Sequence, residues 1–163
     1  MANIYKDIIK EIYNRLDTNK GKIDIGVKRV VVGTRELIQG HQDTPSIAIE
    51  LVNFREVLNV KGNRQLHSEM QIALNCMYPV ANENKAEMYY DEANETGLIH
   101  FIEDVMDVVN ETTAGANGYL LTDLVKQHMA FSFGNVQKQG NFYTFDILID
   151  LVTKNFAFNA RKY

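Results

Sequence analysis

Ile4, Ile8, Ile12 and Leu16 recur at every fourth position, and Tyr5, Ile9 and Tyr13 widen them into a broad apolar stripe. That period predicts an amphipathic helix, with Lys6, Asp7, Lys10, Glu11 and Arg15 expected on its wet side. Asn3 is placed to cap it, and the turn formers of "DTNKGK" with Gly21 end it. "IDIGVKRVVVG" is rich in β-branched residues and predicts a strand or an extended lead-in. Pro45 cannot donate to a ladder, so it marks the first position of a strand running on through Ile47, Ile49 and Leu51. "FREVLNVKGNRQ" predicts a hairpin with its tip near "KGN". Met70, Ile72, Leu74, Cys76 and Tyr78 then alternate with Gln71, Ala73, Asn75 and Met77, the period of a long strand with one strongly apolar face.

The following "VANENKAEMYYDEANET" has little period and reads as a long loop holding at most a short strand at "EMYY". Leu98, Ile99, Ile102, Val105, Met106 and Val109 form the stripe of a second helix, with Asn94 or Thr96 as its cap and "TTAGANG" as its stop. "YLLTDLVKQ" adds one or two helical turns. Two strand-like runs close the chain around the turn "KQGN", and in the second Tyr143, Phe145, Ile147, Ile149 and Leu151 share a face. Helices and hairpins are segregated, without βαβ alternation. The expected fold is therefore α+β: a mostly antiparallel β-sheet covered on one face by two main α-helices, in a single domain over 1–163.

Composition narrows the classes without naming one. The chain has 163 residues, 45% hydrophobic and 23% charged, enough for a core without disulfides or metals and too apolar for disorder. Cys76 is the only cysteine, which points to a reducing compartment. Charges break the first helix every few residues, so it has no signal-peptide core, and no run reaches the length of a membrane span. A net charge of −4 disfavours a dedicated nucleic-acid binder. The charge is uneven: nine acidic residues lie between Glu83 and Glu111 against Lys85 alone, whereas residues 1–64 hold eleven Lys or Arg against eight acids. Such segregation fits solvated faces and would also suit copies that pack head to tail.

The search for chemistry returns no catalytic set. Glu50 lacks the acid–x–lysine partner of a metal-dependent nuclease core, and its apolar neighbours mark it as the outward residue of a half-buried strand. His41, His67, His100 and His128 are dispersed; His67 and Glu69 share one side of a strand but have no third ligand. Cys76 falls on an apolar face, where it acts as a small hydrophobe. No phosphate-cradling glycine motif is present. No enzyme activity, cofactor or metal is expected, although two other readings stay open. One is a hydrolase in which Glu50, His67 and Glu69 converge. The other is a small-ligand module with Phe131, Phe133, Tyr143 and Phe145 around a pocket.

The order of elements carries a further signal. An opening helix, "GTRELIQGHQDTPSIAIELV", the strand "LHSEMQIALNCMY", the helix "GLIHFIEDVMDVVN" and the pair "HMAFSFGNVQKQGNFYTFDILIDLV" together cover nearly the whole chain. In order, lengths and patterning this resembles the tail terminator (tail completion) proteins of long-tailed bacteriophages. The resemblance implies a virion subunit, assembled in the host cytoplasm, that forms a ring typically of six. The ring would cap the tail tube and meet the connector proteins of the head neck, and DNA would pass through without specific binding. Another head–tail connector or neck protein would share such a sheet. The stretches 79–94 and 113–126 look like material added to the shortest members.

"LVTKNFAFNARKY" keeps alternating beyond the length that a central strand needs. Phe156, Phe158, Arg161, Lys162 and Tyr163 are accordingly the candidate interface residues. This arm either folds back over its own core or crosses to a neighbour that presents the acidic 83–111 face.

Overall fold

A computed structural model describes residues 4–39, 44–58, 65–79, 89–110, 125–153 and 156–157. In chain order these hold α1 (Ile4–Asn19), β1 (Arg29–Val32), β2 (Ser46–Leu58), β3 (Gln65–Pro79), α2 (Leu98–Asn110), β4 (Val125–Gln139), β5 (Phe142–Thr153) and the short β6 (Phe156–Ala157). The strands form one six-stranded sheet in the order β1-β2-β3-β5-β4, with β6 paired to the far end of β3. Every pairing is antiparallel except β1 with β2. The expected α+β class is what the chain adopts.

Both helices lie on one face of this sheet, because only that face presents an unbroken apolar surface. Ile8, Ile12, Ile102, Val105, Ile72, Leu74, Ile147 and Ile149 form a common core there, joined by Cys76, Tyr78 and Phe145. The alternation predicted for β3 and β5 is therefore borne out residue by residue. Phe101 of α2 sits on Phe145 and Tyr78 with ring centroids 5.9 and 5.3 Å away, and so seats α2 over the centre of the sheet.

Three expectations need correction. Glu11 and Arg15, expected on the wet side of α1, are buried, at 1% and 8% exposure. α1 rests on the sheet through Ile8, Ile12 and Leu16, and the adjoining stripe with Glu11 and Arg15 meets α2. Arg15 Nε donates to Glu11 Oε1 at 3.0 Å, and Arg15 Nη1 donates to the Val109 carbonyl at 3.1 Å. That carbonyl belongs to the last turn of α2, which has no helical partner of its own.

The second correction concerns "YLLTDLVKQ". Val125–Gln127 is strand, because Val125 and Lys126 pair with Thr153 and Val152 and tertiary pairing overrides local preference. The preceding 119–124 lie outside the described residues. The third concerns "EMYY" and the cap of α2. Tyr89 and Tyr90 belong to no strand; a lone bridge between Asp91 and Thr96 closes a turn instead. Asn94 donates to Asp91 through its amide, and Gly97 occupies the position before the helix. Gly97 has φ +114, and an added Cβ would stand 2.9 Å from the Tyr89 carbonyl carbon and oxygen.

The described stretch after β1, residues 33–39, packs on the helix-free face. A 3₁₀ turn at Arg35–Leu37 brings Ile38 down onto Ala48 and Met77, where alanine leaves room for it. The hairpin tip near "KGN" lies outside the described residues. The β4–β5 turn is the two-residue loop Gly140-Asn141, with Gly140 at φ +58, a placement that favours glycine at the first loop position.

Candidate interaction surface

Along the helix-free face, side chains join across neighbouring strands in polar pairs. Asn75 donates to Glu50 at 2.9 Å, Gln71 to Asp150 at 2.9 Å, and Arg55 to Glu69 at 2.7 Å. Arg35, reaching down from the 3₁₀ turn, pairs with Asp146. A β-bulge between Leu51 and Asn53 shifts the register there, returning Phe54 to the helix-bearing side and placing Asn53 and Arg55 beside Gln71 and Glu69. Below the bulge a groove of about 440 Å³ is lined by Asn53, Arg55, Glu69, Gln71 and Asp150, with Met70, Leu151 and Val152.

This geometry answers the question of Glu50. Its carboxylate is half-buried and held by the Asn75 amide, and Glu69 is engaged by Arg55 on the neighbouring strand. Glu50 pairs in register with Ala73, while Glu69 pairs with Arg55 beyond the bulge, so the structure does not bring these carboxylates together as ligands. No cluster of three His, Cys, Asp or Glu able to hold a metal occurs among the described residues. Cys76 is buried in the core, and burial pushes its thiol well above the ordinary value, with the Asp146 charge adding to that and Arg35 opposing it. A thiol so held stays protonated and unreactive.

A second polar cluster ties the helices to the sheet. Asp24, at φ +48, accepts the Tyr78 hydroxyl at 2.5 Å and the Gly97 N–H at 3.0 Å, and its own N–H donates to Asp104 at 2.8 Å. Burial, then the Asp24 hydrogen bond and charge, raise the Tyr78 hydroxyl. Burial first, with the Asp24 and Asp107 charges, raises the Asp104 carboxyl, while the Asp24 N–H and His100 pull it down. His100 is half-buried and stacks on Tyr90 at 5.2 Å. These groups fasten the loop after α1 to α2, a structural task.

No family model and no curated protein matches the chain. Among the described residues no helix is long and apolar enough to cross a membrane.

Among the described residues, both edges of the sheet are open. The outer edges of β1 and of the 15-residue β4 pair with no other described strand. Ile25 and Val32 are exposed at or just before β1, and Phe133 and Val136 on β4. Of the residues predicted for an interface, Phe156 lies in β6, its backbone paired with Leu66 of the same chain. Phe158, Arg161, Lys162 and Tyr163 lie outside the described residues. The sequence offers Phe133 a place only in the small-ligand alternative and gives Val32 no role. Their one sequence signal is an apolar residue immediately before a glycine, Gly33 or Gly134.

Proposed function

We propose that this chain is a ring-forming subunit of the tail terminator type, which caps a phage tail tube and joins it to the head neck. The observation that carries the reading is a sheet with two unlike open edges and helices on one face only. Heterologous contacts need two different patches on each copy, and when the rotation between copies closes they generate a ring. The element order predicted from the sequence runs through the described fold from α1 to β5.

The polar pairs support the same reading from the chemical side. Glu50, Glu69, Asp146 and Asp150 of the helix-free face are each engaged by an amide or a guanidinium, so the face is cohesive. A subunit of net charge −4 repels phosphate and keeps passing DNA from sticking. The test combines mass determination of the purified chain over a range of concentrations with electron micrographs, in the presence and absence of tail tubes. Rings of defined copy number at tube ends are the expected result. A chain that stays monomeric at every concentration, with or without tubes, refutes the reading.

A further inference from the structure

One row of the sheet ends in an exposed apolar side chain at both edges. Val32, Ile49, Leu74, Ile147 and Phe133 stand opposite one another from β1 to β4 in the registers of the four pairings. The inner three are fully buried, whereas Val32 is 51% and Phe133 41% exposed. Resting on the ring reading, we infer that neighbouring copies join edge to edge, β4 of one against β1 of the next, with Val32 brought onto Phe133.

Strand direction permits this contact without turning the second copy over. β1 runs with β2, and each later step across the sheet reverses direction, so β4 runs opposite to β1. A copy displaced along the row therefore presents an antiparallel β1 to β4, the pairing whose hydrogen bonds are the better aligned. β4 is also suited to receive a strand. Its bulges fall between Lys126 and Met129 and between Gly134 and Gln137, which leaves the regular stretch "MAFSFG" without charge or proline. A long, uncharged edge of that kind is a template for pairing unless something covers it.

The helix layer is offset in the matching sense. α1 lies over β1 and buries Val30 to 7%, whereas α2 sits over Phe145 of β5 and leaves Phe133 of β4 open. A neighbour's β1 would therefore carry α1 over the uncovered Phe133.

Charge selects the same partner. Lys28 and Arg29 lead into β1, and Arg29 stands in the row that ends at Gln137 of β4. Tyr89 packs on Tyr143, which pairs with Lys138 of β4, so the turn with exposed Glu92 and Glu95 lies at that end of the β4 edge. Basic and acidic rims meet in the head-to-tail contact. A twofold contact of β4 with itself would leave the basic rim out of the interface.

The test uses the full chain and positions outside the buried core. Phe133→Glu, and separately Lys28→Glu with Arg29→Glu, should each raise the concentration for half-assembly at least tenfold while the circular dichroism spectrum and melting profile stay those of a folded chain. Glu92→Lys with Glu95→Lys should show the same loss. An equimolar mixture of the two charge-reversed chains should recover assembly in which the two alternate. Rings that form unchanged in all three variants overturn this inference and leave the ring reading standing. Assembly that stops at two copies overturns it in favour of a twofold contact, and a chain that never assembles overturns both.

Discussion

The Glu11–Arg15 pair offers a sharp test of how α1 is held. Arg15 has three tasks in the structure: it neutralises Glu11, fills the seam between α1 and α2, and supplies a donor to the Val109 carbonyl. Arg15→Met keeps most of the aliphatic volume but leaves Glu11 buried at 1% exposure with no cation. Breaking a buried pair by removing one partner costs about 3–5 kcal/mol. In a chain of 163 residues, each kcal/mol moves the midpoint by about 2–4 °C, so the melting temperature should fall by roughly 6–20 °C. Glu11→Leu combined with Arg15→Met removes both charges and returns the stability to within about 1–2 kcal/mol of the parent, because desolvating the pair offsets much of its attraction. Urea unfolding of the parent, both single variants and the double variant closes the cycle, read at constant denaturant slope. The reasoning fails if Arg15→Met costs less than about 1 kcal/mol, the value of an exposed pair, or if the two single effects simply add.

Three further outcomes follow from the polar knot and the loop before α2. Gly97→Ala places a methyl group against the Tyr89 carbonyl at a φ that favours glycine, so thermal unfolding should show a loss of about 1–3 kcal/mol. Tyr78→Phe removes the donor to Asp24 and should cost about 0.5–1.5 kcal/mol in chemical denaturation, the net value of a typical hydrogen bond. Asp104 has a folded value raised above its ordinary 3.8, so its contribution to stability is fully present below that pH and is lost as pH rises through the raised value. Asp104→Asn keeps an acceptor for the Asp24 N–H without the charge; it should be more stable than the parent at pH 7, with the difference shrinking toward zero below pH 3.8. A difference that grows on acidification would contradict the assignment.

The elements that sequence made legible were those whose period is set by a single buried face. β3 and β5 alternate because one side of each meets the helices, and α2 shows its stripe for the same reason. α1 was harder because two of its sides are covered. A charged pair spaced four apart looks the same in sequence whether water or a second helix faces it, and only the packing of α2 distinguishes the two. The start of β4 was hidden because Val125 and Lys126 are strand only by virtue of Thr153 and Val152. On the helix-free face, Gln71 and Asp150 are 79 positions apart, so no local pattern announces their hydrogen bond. The bulge at Asn53 leaves no trace either, although it decides that Phe54 meets Tyr5. The two edge residues were in plain view, but their common row appears only when four registers are read together.

The β3–β5 seam has a consequence for how the chain comes into being. β2 with β3, and β4 with β5, are hairpins of nearby sequence, and the β3–β5 seam, extended by the short β6 on β3, is the long-range pairing that unites them. During synthesis β3 is finished at Pro79, while β5 is complete only at Thr153. At a usual ribosomal pace of about 5–20 residues per second, that interval lasts roughly 4–15 s. For that time the bare edge of β3 waits for β5, and until α2 is finished at Asn110 its apolar face with Ile72, Leu74 and Cys76 also waits for that helix. Such half-finished sheets are prone to pair with each other. The vulnerable moment of this protein therefore comes before its last hairpin emerges, and folding yield should depend on translation speed through residues 80–153 more than on the stability of the finished domain.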